Sequence, residues 1–235
     1  MIKTYKIADL KFNIDSASIT THNAKEYEIP FDASAPELKY SPEAIKKYMS
    51  AYSTVEIDDW DYFLQGVKFS SLLLENDGFV LHASAIALDG QAFLFSANSG
   101  IGKSTHTRLW KQVFDNVVYI NDDKPALRLK NGFFYVYGTP WSGKSTLQNN
   151  ICVPIKAICF IERGDKNSIR RLSAIEALPR LLEQTMRKAG KDKTGRLLEL
   201  LDILLTTTPI YLLSCLPNEE AAILAHDTMI NKTEG

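Results

Sequence analysis

Apolar positions change their period several times along the chain. Over residues 1–38 they alternate with polar ones in short bursts, Tyr5-Lys6-Ile7 and Lys11-Phe12-Asn13-Ile14, which predicts a few short strands joined by turns. Ser41-Pro42-Glu43 opens a short helix, with Ser41 as cap and Pro42 at its first position. Over 60–74, the spacing of Tyr62, Phe63, Val67, Leu72, Leu73 and Leu74 predicts a helix that ends near Gly78. Phe79 to Leu88 and Gln91 to Ser96 then read as strands around the two-residue turn Asp89-Gly90. A helix over 104–114 and a strand over 117–120 follow. Ala126 to Lys130 and Phe133 to Tyr137 form a second hairpin around Asn131-Gly132, and Ile155 to Ile161 reads as a strand. Further on, Ser173 and Glu176 make a capping box before an apolar-periodic run that Pro179 kinks or splits. A helix over 195–206, a strand over 209–215 and a last helix capped by Asn218 complete the pattern.

Strands alternate with helices from residue 79 onward, which argues for an α/β domain with a mixed sheet. We expect a small β-rich N-terminal appendage over 1–70 and a main domain over 71–235 whose C-terminal part is mostly helical. No internal repeat or low-complexity tract interrupts either part.

Composition narrows the function classes. The 235 residues are 45% hydrophobic and 23% charged, values of a folded chain with a sizeable core. Lys and Arg number 27 against 28 Asp and Glu, a net charge of −1, so no basic surplus drives binding to a nucleic-acid backbone. The first residues lack an apolar signal region, and no apolar run approaches the ~18 residues of a membrane span. The expectation is a cytoplasmic protein with no membrane partner. Cys152, Cys159 and Cys215 fit no zinc spacing and read as buried free thiols in a reducing compartment.

Two stretches look able to hold phosphate. A polyphosphate needs a concave run of backbone N–H groups, a helix N-terminus, a mobile positive charge and a hydroxyl for Mg²⁺. Asn98, Ser99, Gly100, Ile101, Gly102, Lys103, Ser104 and Thr105 supply these, although Ala97 stands where the pattern G-x-x-x-x-G-K-[ST] has its first glycine. Alanine fits there only with negative φ. Gly138 to Ser145 matches the pattern letter for letter, but Thr146-Leu147-Gln148-Asn149-Asn150 shows no helical stripe and Pro154 follows. The first loop, with a helix behind it, is therefore the expected nucleotide cradle.

Lys103 and Asp122 are 19 residues apart. An 11-residue helix rises ~16 Å and a five-residue strand returns ~16 Å, so Asp122 and Asp123 should lie beside the loop at the same sheet edge. One carboxylate there can orient Mg²⁺ while the other accepts a hydroxyl proton. Among the remaining candidates, His106 is expected to face solvent, or else to approach a nucleotide, Glu162-Arg163 to end a strand near the active edge or pair at the surface, and Trp60 and Trp110 to be core. The stripe from Leu197 to Leu205 reads as core or a subunit contact.

Taken together, His82-Ala83-Ser84, Ser99 to His106, Asn121-Asp122-Asp123-Lys124-Pro125 and Gly138 to Lys144 resemble the HPr kinase/phosphorylase catalytic domain and its phosphoenolpyruvate-carboxykinase-like bacterial relatives. The resemblance covers roughly residues 79–230. It implies a mixed-sheet P-loop kinase core of the phosphoenolpyruvate carboxykinase/HPr kinase type, using ATP and Mg²⁺. By the same resemblance, Lys103 binds the β- and γ-phosphates and Ser104 ligates Mg²⁺. Asp122 accepts the substrate proton, Asp123 is its metal-side neighbour, and His82 lies near the phosphate. The Glu-x-Arg-Gly-x-Gly signature of true HPr kinases is absent, and Trp141 and Lys144 stand in its place. Ser142, Gly143 and Lys144 are read as a second anion-contacting loop. The implied activity is phosphorylation of a serine or threonine hydroxyl on a peptide or small protein, in a chain that assembles with copies of itself. A nucleotide-bound scaffold or switch, and small-molecule phosphotransfer of the carboxykinase type, are the alternatives.

Overall fold

The computed structural model describes residues 1–15, 19–41, 43, 45–46, 57–185 and 191–230. The N-terminal alternation becomes a three-stranded antiparallel sheet of β1 (Ile2–Ile7), β2 (Leu10–Asp15) and β3 (Glu28–Ile29), in the order β2-β1-β3. Ala8 and Asp9, with φ of 50° and 61°, make the tight turn between the first two. A short helix α1 (Ile19–Asn23) follows β2, and the long helix α2 (Ile57–Leu74) passes residue 70 without interruption. Tyr5, Ile7, Phe12 and Ile14 of the small sheet share one buried cluster with Phe69 and Leu73 of α2 and with Val80, Ala126, Tyr137 and Trp141.

Among the described residues the larger sheet has nine strands: β4 (Gly78–Val80), β5 (Ala83–Leu88), β6 (Gln91–Ser96), β7 (Val118–Asn121), β8 (Ala126–Lys130), β9 (Phe133–Tyr137), β10 (Cys152–Arg163), β11 (Ser168–Arg171) and β12 (Ile210–Cys215). The 12-residue strand β10 serves two halves. Its first residues pair antiparallel with β9, and its later ones pair parallel with β6 and β12. The change of partner falls between Pro154 and Ile155, and a register shift between Ile155 and Ala157 follows it in the curled sheet. Helices α3 (Lys103–Val113), α4 (Ala174–Gln184), α5 (Lys191–Thr207) and α6 (Glu219–Ile230) cover both faces. Ala83, Ala85 and Leu94 pack with Leu181, Leu200, Leu201 and Leu204 of α4 and α5. The alternate residues Ile86, Phe93 and Phe95 pack with Trp110, Ala222 and Ala225 of α3 and α6. Burial on both faces is why β5 and β6 read as nearly unbroken apolar runs.

The mixed α/β architecture, both hairpins and the capping box at Ser173 appear as expected. Asn218 caps α6, its Oδ1 accepting the Ala221 N–H at 3.1 Å. Of the stripe from Leu197 to Leu205, Leu197, Leu200, Leu201 and Leu204 are core, Ile203 and Leu205 pack half-buried against it and Leu198 is exposed; Trp60 and Trp110 are core. Several expectations change. The strand expected over 79–88 is two strands, because the chain leaves the antiparallel half at Leu81 and enters the mixed half at Ala83. Between them the Leu81 N–H bonds to Pro125 O and the His82 N–H to Gln184 O. Strand β11 carries no strand signal in its polar sequence and acquires strand form by pairing with β12. Of the three free cysteines, Cys159 is buried, Cys215 half-buried and Cys152 exposed. The helix expected at Ser41-Pro42 falls largely outside the described residues. Among the described residues no helix is long and apolar enough to cross a membrane.

Candidate functional site

Strand β6 delivers the chain into the loop of residues 97–102, and α3 carries it away. Gly100 and Gly102 have φ of 80° and 133°, and a Cβ on either would meet nothing within 4 Å. The glycines thus answer a backbone requirement and leave the space beside the loop open. Ala97 is buried and not among the positive-φ residues, which is how alanine is tolerated there. The cap of α3 is Gly102 and supplies no side-chain bond, and the first turn holds no acidic residue. The N–H groups of that turn therefore keep their attraction for an anion. Lys103 is 8% exposed and its Nζ reaches back to donate to Ala97 O at 3.0 Å. Burial lowers its pKa, opposed chiefly by the charge of Asp123. Ser104 is exposed.

The return strand β7 ends at Asn121, which is fully buried. Its side chain donates to Thr139 O at 2.8 Å and accepts the N–H groups of Asp123 and Lys124 at 2.9 and 2.6 Å. This turn sends the two carboxylates in different directions. Asp122, 7% exposed, accepts the Ser84 hydroxyl at 2.5 Å, and Ser84 lies 3.0 Å from Thr107 on α3. Asp123 lies 3.1 Å from His82 Nε2 and 3.1 Å from Lys124 Nζ. Burial alone would raise its pKa, but the His82 hydrogen bond and the Lys124 charge hold it below the usual carboxylate value.

His82 is itself held from behind. Its Nδ1 is 2.9 Å from Gln184 Oε1, and Gln184 Nε2 donates to Asn98 Oδ1 at 2.7 Å. A polar chain therefore runs from the loop at Asn98, through the last residue of α4, to His82 and Asp123. Gln184 and Ser84 belong to the site; the sequence places Ser84 in the His82-Ala83-Ser84 motif without giving it a role, and does not single out Gln184. Gln184 is one amide at the end of an amphipathic helix, and only the fold shows what it touches.

The literal motif at Gly138–Ser145 is a different object. No helix follows it. A Cβ on Gly138 would lie 1.9 Å from Asn149 O and 2.7 Å from Ile120 O, so its glycine serves backbone contact. Trp141 is buried, stacks on Phe69 at 4.8 Å and donates from Nε1 to Tyr62 O at 3.0 Å. The loop nevertheless reaches the site: the Gly143 Cβ position is 3.1 Å from the Asp123 side chain. Ser142 is 1% exposed and its Oγ has no hydrogen-bond partner among the described residues. Lys144 is exposed.

Other residues depart from expectation. His106 is 3% exposed, not solvent-facing, and its Nε2 accepts the Trp110 Nε1–H at 3.1 Å. Arg163 donates to Gly100 O at 2.8 Å and so braces the loop; no ion pair with Glu162 occurs among the described residues. A cavity of about 370 Å³ opens between the loop, α3 and the ends of β10 and β12. This is the carboxyl edge of parallel strands, where α/β sheets bind ligands.

Among the described residues no group of three or more His, Cys, Asp or Glu side chains forms a metal cage. Mg²⁺ in phosphoryl transfer is held by one or two carboxylates together with phosphate oxygens. The exposed Ser104 hydroxyl and the ionised Asp123 are hard oxygen donors of that type, beside a loop shaped for phosphate, and they fit.

The family model described as ScmC, SynChlorMet cassette protein ScmC, matches residues 67–215. That span includes the loop, both carboxylates and the Gly138–Ser145 segment. A search of the curated proteins found no match. Among solved structures, the Hpr(Ser) kinase/phosphatase from Coxiella burnetii is similar at 12% identity and a TM-score of 0.39, over 63% of this chain and 89% of that one.

Proposed function

The chain belongs to the ScmC family of SynChlorMet cassette proteins, and on that premise we propose that it is an ATP- and Mg²⁺-dependent kinase acting on a hydroxyl of a peptide or small protein. One observation carries the reading. The open glycine loop, the uncapped start of α3 and buried Lys103 stand at the same sheet edge as the paired carboxylates Asp122 and Asp123.

The loop N–H groups and Lys103 bind the phosphates. Ser104 and Asp123 would hold Mg²⁺, which when bound neutralises charge on the phosphate oxygens. Lys124 already pairs with the charge of Asp123, and His82 Nε2 lies 3.1 Å from it. Asp122 has a neutral hydroxyl donor and no ion pair among the described residues, which leaves it as the proton acceptor. The acceptor oxygen forms a bond to the γ-phosphorus and gives its proton to Asp122. The bond from that phosphorus to the bridging β,γ-oxygen breaks, and ADP leaves with the electron pair. Ser142 and Gly143 line the Asp123 side, where the unpartnered Ser142 hydroxyl can donate to the transferred group.

The test is transfer from γ-labelled ATP to acceptor peptides by the parent, Asp122→Asn and Lys103→Ala. Each variant should lose at least about 100-fold in rate, the lower range for a positioned acid–base group. An asparagine variant as fast as the parent removes Asp122 from the role of base.

A further inference from the structure

A second cavity, of about 90 Å³, lies against Asp123 and shares no lining residue with the one at the loop. Its walls come from α2 (Tyr62, Phe63, Gly66, Phe69), from Val80 and from Trp141, and its charged members are Asp123 and Lys124. We infer that this cavity is the specificity pocket for the phosphoacceptor, and that it takes an aliphatic side chain of the acceptor close to the phosphorylated hydroxyl. The inference rests on the kinase reading above and deepens it.

The walls are fixed before any acceptor arrives. The Trp141 indole is stacked on Phe69 and tied through Nε1 to Tyr62 O. Gly66 is what lets the indole approach α2, since a Cβ there would lie 3.0 Å from the ring. The Tyr62 hydroxyl is engaged with Pro140 O at 3.2 Å, so the tyrosine offers the pocket mainly its ring. Phe63 at the rim is 44% exposed, a large apolar ring held in water at the mouth of an apolar pocket.

Chemistry and size select the occupant. The charges of Asp123 and Lys124 are already paired with each other, so a charged side chain would be desolvated there without a free partner. An apolar cavity of about 150 Å³ holds benzene. One of about 90 Å³ suits valine or leucine better than an aromatic ring. Asp123 lines the pocket and is the chain neighbour of the proposed base Asp122, so the pocket adjoins the residue pair proposed to act on the hydroxyl. The occupant is therefore a residue close to the phosphorylated one in the acceptor's sequence, and the flanking positions are the ones to vary.

The experiment uses N-acetylated serine peptides whose flanking residues are varied among Val, Leu, Trp, Gly and Asp. They are assayed with γ-labelled ATP and Mg²⁺, and nucleotide binding to the same preparation is measured by calorimetry. Peptides with Val or Leu flanks should be phosphorylated at least tenfold faster than those with Gly or Asp. Phe63→Asp, at an exposed position, should shrink that advantage, and Val80→Ala should shift preference toward the Trp flank. Equal rates across the panel, a preference for Asp, or no phosphorylated peptide despite nucleotide binding overturns the pocket assignment and leaves nucleotide binding intact. Absence of nucleotide binding instead removes the kinase reading, and the pocket assignment falls with it.

Discussion

At the scale of single residues, His106 shows how burial rewrites a polar position. It lies one turn into α3, where the sequence suggests a solvent-facing side chain, yet its ring packs edge-on against Phe95 and accepts from Trp110. Burial pushes its pKa down to about 4. Its folded value thus lies below the unfolded one, so the unfolded chain binds the extra proton first and stability falls as pH drops from about 6.5 toward 4. The parent should lose about 2–3 kcal/mol from this group between pH 7 and pH 4.5. In His106→Gln that part of the acid slope should disappear, whatever the substitution costs at pH 7. Urea unfolding at the two pH values measures it, and an unchanged slope in the variant contradicts it. Gly138 offers a second residue-scale prediction. An alanine methyl there would lie 1.9 Å from Asn149 O, so Gly138→Ala should destabilise by about 3 kcal/mol. A midpoint unchanged in urea would show that the backbone moves away freely. Lys103, Ser104, Asp122 and Asp123 are legible in sequence because their motifs encode local geometry. Gln184 is not, and for Ser84 the motif shows the residue but not its bond to Asp122, because each meets its partner across tens of residues.

Elements follow the same division between local and distant causes. The two hairpins are readable because their turns have their own chemistry. Asp89-Gly90 and Asn131-Gly132 all take positive φ, as such turns require. The break at Leu81-His82 has no such marker, since apolar residues continue on both sides. It exists because β4 pairs with β8 while β5 pairs with β6 and β7, and it is what turns His82 toward Asp123. The capping box of α4 is local and complete: the Ser173 N–H and hydroxyl both donate to Glu176 Oε2, at 3.0 and 2.8 Å. Ser173→Ala should therefore cost about 1 kcal/mol. Since α4 ends on Gln184, which spans from Asn98 to His82, a larger effect on transfer rate than on stability would link the helix to the site. Thermal unfolding and the labelled-ATP assay, run on one preparation, separate the two. No change in melting temperature would mean that the box contributes nothing to the fold.

Across the whole molecule, curling of the sheet at β10 sets which loops can meet. One half supplies the loop after β6 and the acids after β7; the other contributes Trp141 and Gly143 from the segment after β9. The alternation of strands and helices was enough to expect a mixed-sheet α/β domain. It was not enough to expect that the second glycine-lysine segment would fold against Asp123, because that approach depends on Gly138 meeting Asn149 and Ile120. The central claim is that residues 97–105, and not Gly138–Ser145, cradle the polyphosphate. Titration calorimetry with ATP and Mg²⁺ on the parent, Lys103→Ala and Lys144→Ala tests it most directly. ATP should bind the parent, bind Lys103→Ala at least tenfold more weakly, and bind Lys144→Ala with near-parental affinity. No heat with the parent, or binding that survives Lys103→Ala and is lost in Lys144→Ala, would contradict it.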